Sequence, residues 1–156
     1  MKPKLWPPYF RHYRVNRIHW GDIRQIASLE RAVFLEPLAL NRIWRYYLSR
    51  RCGYLVVKDG RAVIAYFGFE LCGGYAHVIA NVTHPTYRKQ GLATFVLTAA
   101  EPWAKAMGAL AFLGEVRKSN VGQLRVLHSI GWTDVIMIPA FFGNGEDAQI
   151  VMKVFS

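Results

Sequence analysis

The hexapeptide Arg88-Lys89-Gln90-Gly91-Leu92-Ala93 decides how the rest of the chain is read. It lies between an apolar run at residues 78–83, which reads as a β-strand, and a stretch of helical spacing that begins at Leu92. A turn with a glycine at a helix N-terminus points unpaired backbone N–H groups at one spot. The helix dipole adds partial positive charge there, so the spot binds a phosphate or diphosphate. Gly91 lets the backbone approach the anion with no Cβ in the way. Neither common phosphate motif accounts for the turn. No Gly-Lys-Ser/Thr follows, as a P-loop needs, and Gly-x-Gly-x-x-Gly is missing.

Working outward, the flanking segments alternate in type. Residues 14–18 read as a short strand, and Trp20-Gly21-Asp22 supplies a turn and an N-cap for a helix carrying Ile23, Ile26, Ala27, Leu29 and Val33. Pro37 breaks it, and a second amphipathic helix runs to about residue 49. Strands at 54–57 and 62–71 flank Lys58-Asp59-Gly60-Arg61, a hairpin signal, and Cys72-Gly73-Gly74 turns the chain into a strand at 75–83. The helix after the phosphate turn sets Leu92, Phe95, Val96, Ala99, Trp103, Ala106 and Met107 on one face, with Pro102 expected to bend it or disturb its last turn. Residues 110–116 form a buried strand, Ser119 caps a helix to Ile130, and strands at 134–139 and 148–155 finish the chain. Strands interleaved with helices in this order imply an α/β (α+β) fold, a mixed sheet with helices on both faces.

Composition narrows the class. The 156 residues suit one domain, expected at 14–156, preceded by an extended aromatic and proline-rich leader at 1–13. Hydrophobic residues make up 53% and mean hydropathy is +0.11, which excludes a disordered chain. No apolar run reaches the roughly 18–20 residues of a membrane span, and the start lacks the apolar core of a secretory signal. Cys52 and Cys72 have no metal or redox spacing, so reduced thiols and a cytoplasmic location are the expectation, with no metal. The net charge of +10 attracts polyanions. It suits a phosphorylated ligand or work near RNA, and equally a chain kept soluble by charge with no specific partner.

A family resemblance follows from the motifs. Arg88-x-x-Gly91-x-Ala93, after Thr83-His84-Pro85-Thr86-Tyr87, resembles the acyl-CoA loop of the GNAT acetyltransferase superfamily. Gly114-Glu115-Val116-Arg117-Lys118-Ser119-Asn120, Ser129-Ile130-Gly131-Trp132 and Gly145-Glu146-Asp147-Ala148 resemble segments of its RimI-type branch, the ribosomal-protein N-terminal alanine acetyltransferases. The match is dense over 78–155, loose over 13–75 and absent in the first dozen residues. It implies a GNAT fold, a mostly antiparallel sheet splayed between the fourth and fifth strands with acetyl-CoA in the gap. Backbone groups of Val82 and Thr83 would then pair with the pantetheine arm. Those of Arg88, Lys89, Gln90, Gly91, Leu92, Ala93 and Thr94 would hold the diphosphate, and Asn120 would bond the cofactor, unless it caps its own helix.

Acetyl transfer to an amine also needs a base. Glu115 is the leading candidate, because it interrupts an otherwise apolar strand where a carboxylate is costly unless paired or functional. Its alternative role is partner to Arg117. Glu70, at another strand end, is a second candidate. Where the branch carries a tyrosine that acts as general acid, this chain has Leu127. His128 lies about 100° further around the helix, and His84 and Tyr87 are other donors nearby. The resemblance places the acceptor between residues 34–41 and the Phe141-Phe142 loop, with Phe34, Phe141, Phe142, Glu146 and Asp147 as its contacts; the last two read equally as solvated strand-opening charges. It implies an N-acetyltransferase acting on a protein or peptide N-terminal α-amine by direct transfer, with ribosomal-protein association. Acceptance of a small amine or polyamine is the alternative within enzymes, and a non-catalytic acyl-CoA-binding sensor the alternative outside them. Nucleic-acid binding rests on the charge alone. Oligomeric state is not legible.

Overall fold

A computed structural model describes residues 5–156. It opens with β1 (Tyr9–Phe10) and β2 (Tyr13–Arg17), an antiparallel pair, and a 3₁₀ turn (Trp20–Asp22) then leads into α1 (Ile23–Val33) and α2 (Leu40–Leu48). The meander β3 (Cys52–Asp59), β4 (Ala62–Cys72) and β5 (Tyr75–Thr83) follows, with Gly60-Arg61 as the tight turn of its first hairpin. Beyond it lie a 3₁₀ turn (Pro85–Tyr87), α3 (Leu92–Ala106), β6 (Ala111–Arg117), α4 (Val121–Ser129), β7 (Thr133–Ile138) and β8 (Ala148–Val154).

All eight strands join one open sheet in the order β1-β2-β3-β4-β5-β6-β8-β7. Every neighbouring pair is antiparallel except β5 with β6. β3 and β4 are buried over long consecutive runs, the signature of strands covered on both faces. One face packs Leu55, Val57, Phe67, Phe69 and Phe112 against α3 and α4 through Val96, Ala100, Trp103 and Leu127. The other packs Tyr54, Val56 and Tyr66 against Ile23, Ile26 and Ile43 of α1 and α2.

Several local expectations shift. Residues 1–4 of the leader lie outside the described residues. Further along it, Trp6 packs on Trp103 with ring centroids 4.9 Å apart, and Phe10 packs on Phe95 at 4.6 Å. α3 continues through Pro102 to Ala106; Pro102 and Thr98, whose carbonyl loses its donor, are both on the exposed face, where water replaces the bond. Asp22 accepts from the His19 N–H at 2.8 Å and boxes the 3₁₀ turn, leaving α1 without a side-chain cap. Ser119 does not cap α4, because its hydroxyl donates to Glu146 at 2.8 Å; Asn120 takes that role, accepting from the Gln123 N–H at 3.2 Å.

The junction of β5 and β6 positions the site. These strands pair only at Ala76 with Phe112 and His77 with Leu113. Immediately afterwards the β4–β5 register slips: Phe69 faces Val78 and Gly68 faces Ala80, so Ile79 is an extra residue. Such a bulge bends its strand and increases its twist. The C-terminal half of β5 therefore separates from β6, and a gap opens in the sheet.

The α1–α2 connection along this gap is pinned by Glu30. Its carboxylate is 1% exposed and accepts from the Tyr66 hydroxyl and, at 3.1 Å, from the Leu38 N–H. Burial pushes the carboxyl up to about 6, against the opposing pull of the Leu38 donor. The folded state thus favours the protonated acid. Stability from this group is fully present below about pH 4.5 and is lost as pH rises through about 6, a loss of ~2 kcal/mol. Denaturant unfolding of wild type and Glu30→Gln at pH 4.5 and 7.5 checks this. The wild type should lose that much more stability than the variant over the interval, and equal losses would contradict it.

Candidate active site

The loop ahead of α3 has the backbone an anion site needs. Gly91, the N-cap residue, has φ of +84°, where a side chain would be strained, and no side chain caps the helix. The first turn holds no acidic residue, so its N–H groups keep their partial positive charge unopposed. Lys89 also takes a left-handed φ of +62°. The loop is braced from behind: the Tyr13 hydroxyl donates to Gln90 Oε1 at 3.0 Å, which turns Gln90 away while Arg88, Lys89, Gly91, Leu92, Ala93 and Thr94 line the cleft.

From this loop a cleft of about 810 Å³ runs through the gap between β5 and β6. Residues Val78 through Thr83 form one side, Gly114 through Arg117 the other. Leu97 of α3, Leu127 of α4, Trp132 and Val151 close it toward the α3–α4 core. At the opposite mouth Phe34, Leu35 and Glu36 face Phe141 and Phe142. The cleft therefore joins the uncapped N-terminus of α3 at one end to a loop-flanked opening at the other.

Glu115 sits on the cleft wall beside the fork. Both its carboxylate oxygens lie 2.8 Å from His77 Nε2, and the side chains are 25% and 34% exposed respectively. The register explains the meeting. His77 pairs with Leu113, and Glu115, two residues on, shares Leu113's face of the strand. The hydrogen bond to Glu115 raises the His77 pKa above its ordinary value; burial opposes this, and the charges of Glu115 and Glu70 add to it. A carboxylate and an imidazole at hydrogen-bond distance beside a cleft can take up a proton directly or through water. Sequence reading passes over His77. Its signal is weak, a lone titratable residue in the apolar run Ala76 to Ala80, and its partner lies 38 positions away.

The other candidates divide. Glu70 pairs across β4–β5 with His77 and contributes charge to it, but does not line the cleft. His128 projects to the exterior, with Nε2 2.7 Å from Asp134, as its rotation about the helix dictates. Leu127 is 3% exposed and lines the cleft, so no hydroxyl stands at that place. His84 caps its own 3₁₀ turn, and Tyr87 lines the cleft with its hydroxyl donated to Asp59 at 2.9 Å. Asn120 reaches the cleft with Oδ1 already committed to its helix cap.

Phe34, Phe141 and Phe142 stand at the mouth of the cleft opposite the α3 turn. Glu146 and Asp147 do not line the cleft. Glu146 holds Ser119 and approaches Arg117 at 3.9 Å, while Asp147 accepts from the Ala140 N–H at 3.0 Å and lies 3.8 Å from Lys118. Arg117 ties the two mouth loops together, 3.5 Å from Glu36, donating to Asn144 Oδ1 at 2.9 Å, and 4.1 Å above the Phe142 ring. Among the described residues no group of three or more His, Cys, Asp or Glu side chains is placed to hold a metal, and no helix is long and apolar enough to cross a membrane.

Comparison with known proteins bears on this arrangement. The model of the acetyltransferase (GNAT) family matches residues 20–132. An uncharacterised N-acetyltransferase of Methanocaldococcus jannaschii is 28% identical over 143 residues, covering 89% of this chain and 90% of the relative. The ribosomal-protein-S18-alanine N-acetyltransferase of Escherichia coli superposes with a TM-score of 0.83 at 18% identity, over 92% of this chain and 94% of that one. The NatC complex bound to Gag peptide and CoA contains a chain that superposes at 0.80 and 14% identity, over 92% and 99%. The mixed sheet, its splay and its helices on both faces are thus those of the GNAT fold.

The His77–Glu115 contact has a direct readout. In an NMR titration, His77 should titrate above 6.5 in the wild type and at lower pH in Glu115→Gln, which keeps the shape but loses the charge. An unchanged midpoint would show that Glu115 does not hold the imidazolium.

Proposed function

Because the chain belongs to the acetyltransferase (GNAT) family and is an acetyl-CoA-dependent N-acetyltransferase, we propose that its acceptor is the α-amine of a protein or peptide N-terminus, acetylated by direct transfer in a ternary complex. The observation that carries this reading is the state of the acidic side chains along the cleft. A polyamine site needs free carboxylates, and here each one is engaged: Glu30 by Tyr66 and Leu38, Glu36 by Arg117, Glu115 by His77. Arg88, Lys89 and Arg117 line the same cleft and repel a polycation. A single amine on a mostly uncharged peptide suits the aromatic mouth better.

The residues present fit the cosubstrate. The uncapped N-terminus of α3 suits its diphosphate, with the backbone of Arg88 through Thr94 as donors, and the unpaired edge of β5 at Val82 and Thr83 suits its pantetheine arm. Asn120 retains its Nδ2 donors. Acetyl-CoA, when bound, supplies the activated acetyl thioester.

The protein's own task is then to neutralise the amine and exclude water. Glu115 with His77 removes the proton from the incoming ammonium, directly or through one water. The pair is free to do so once His77 is neutral, so kcat/KM rises with pH through the raised His77 pKa. Leu127 offers no proton on the opposite side, and solvent serves there. Phe34, Phe141 and Phe142 hold the acceptor at the mouth.

Free-thiol release against peptides beginning with Ala, Ser or Met, and against polyamines, tests the reading. One peptide class should turn over, and Glu115→Gln should reduce kcat/KM by about 10² or more. Turnover on polyamines alone would replace the acceptor class. Tight acetyl-CoA binding with no turnover on any acceptor would replace catalysis with sensing.

A further inference from the structure

Asn81 interrupts the wall that separates the cleft from the α3–α4 core. It follows the β5 bulge and pairs with Phe67, a residue of that core, while its neighbours Ala80 and Val82 pack into the α1–α2 core. Alternation then sets Asn81 and Thr83 on the same face, two residues and about 7 Å apart. The same cleft is lined by the apolar Leu97, Val126, Leu127, Trp132 and Val151.

Both polar atoms of the Asn81 carboxamide, Oδ1 and Nδ2, are buried without a hydrogen-bond partner, and so is the Thr83 hydroxyl. The one further side-chain atom in this condition among the described residues is the Tyr54 hydroxyl, which does not line the cleft. Buried amides are nearly always paired, since an unpaired one loses its bonds to water and gains nothing. The position itself asks for an apolar residue, because it faces an apolar core from the middle of a sheet. A carboxamide there disfavours the empty fold and suits a ligand that brings amide groups into the gap.

We propose that Asn81 and Thr83 bind the pantetheine arm of the cosubstrate through their side chains. The Asn81 carboxamide, a donor and an acceptor on one plane, exchanges hydrogen bonds with an amide of the arm, and the Thr83 hydroxyl takes a neighbouring polar group. This extends the backbone pairing along β5 and rests on the cofactor-binding reading given above. It makes Asn81 a cofactor-binding residue on the face turned away from the acceptor.

Calorimetry with two ligands tests it. CoA carries the arm; adenosine 3′,5′-bisphosphate keeps only the far end and lacks it. Asn81→Leu, close in size, should weaken CoA binding ~10-fold or more and leave the bisphosphate within about twofold. Thr83→Val should act in the same direction with a smaller factor, and keeps the test open if the leucine variant does not fold. The unliganded Asn81→Leu protein should melt no lower than wild type, because it relieves an unpaired buried amide. CoA affinity unchanged in both variants, as expected if ordered water satisfies these groups, would overturn the proposal. So would equal losses for both ligands, which would mean a distorted loop. A wild type that binds the bisphosphate and CoA equally would overturn it as well, while one that binds neither would remove the cofactor reading itself.

Discussion

The parallel contact between β5 and β6 is the constraint on which the site depends, and it is only two residue pairs long. A parallel pair that continued would seal the sheet and leave no cleft. Two residues beyond the second pair lies the bulge at Ile79, and past it the backbone groups of β5 facing the gap have no strand partner on the β6 side. In a sheet interior such groups are expensive unless something else pairs with them. The fold thus carries an unpaired strand edge inside the molecule, at the end of which α3 presents its uncapped N-terminus. Both features favour one extended ligand with an anionic end.

The same short contact builds the chemistry. His77 belongs to the last residue pair before the strands part, which brings its ring within reach of Glu115. Shifting β6 by one residue would turn Glu115 to the other face of the sheet. Elsewhere around the cleft, charges are used to hold loops: Glu30 fixes the α1–α2 connection, and Arg117 joins Glu36 to the loop after β7. These engagements keep the mouth between the two loops shaped while leaving its surface largely aromatic. The +10 net charge does not by itself identify a partner.

Much of this was legible in the sequence where the signal is local. Gly91 ahead of a helical period marks the left-handed turn that opens α3, Asp59-Gly60 marks a hairpin, and Glu115 stands out because its strand is otherwise apolar. What depends on register was not legible. His77 gains meaning only when β5 is laid beside β6, and the bulge at Ile79 has no glycine or proline to announce it. Glu146 and Asp147 look available for an amine because the sequence cannot show Ser119, Lys118 and Ala140 already holding them. The strand at Tyr9–Phe10 is too short to show a period, and its packing on Phe95 is a tertiary fact. Asn81 reads as one more polar interruption until its burial and lack of partner are seen.

The central claim, that the cosubstrate lies in the gap between β5 and β6 with its anionic end on α3, is most directly tested by amide hydrogen exchange with and without acetyl-CoA. Protection should appear in β5 at residues 80–83 and in the loop at residues 88–94, with little change in β3 at the sheet centre. Protection confined to other strands, or none at saturating acetyl-CoA, would contradict the account.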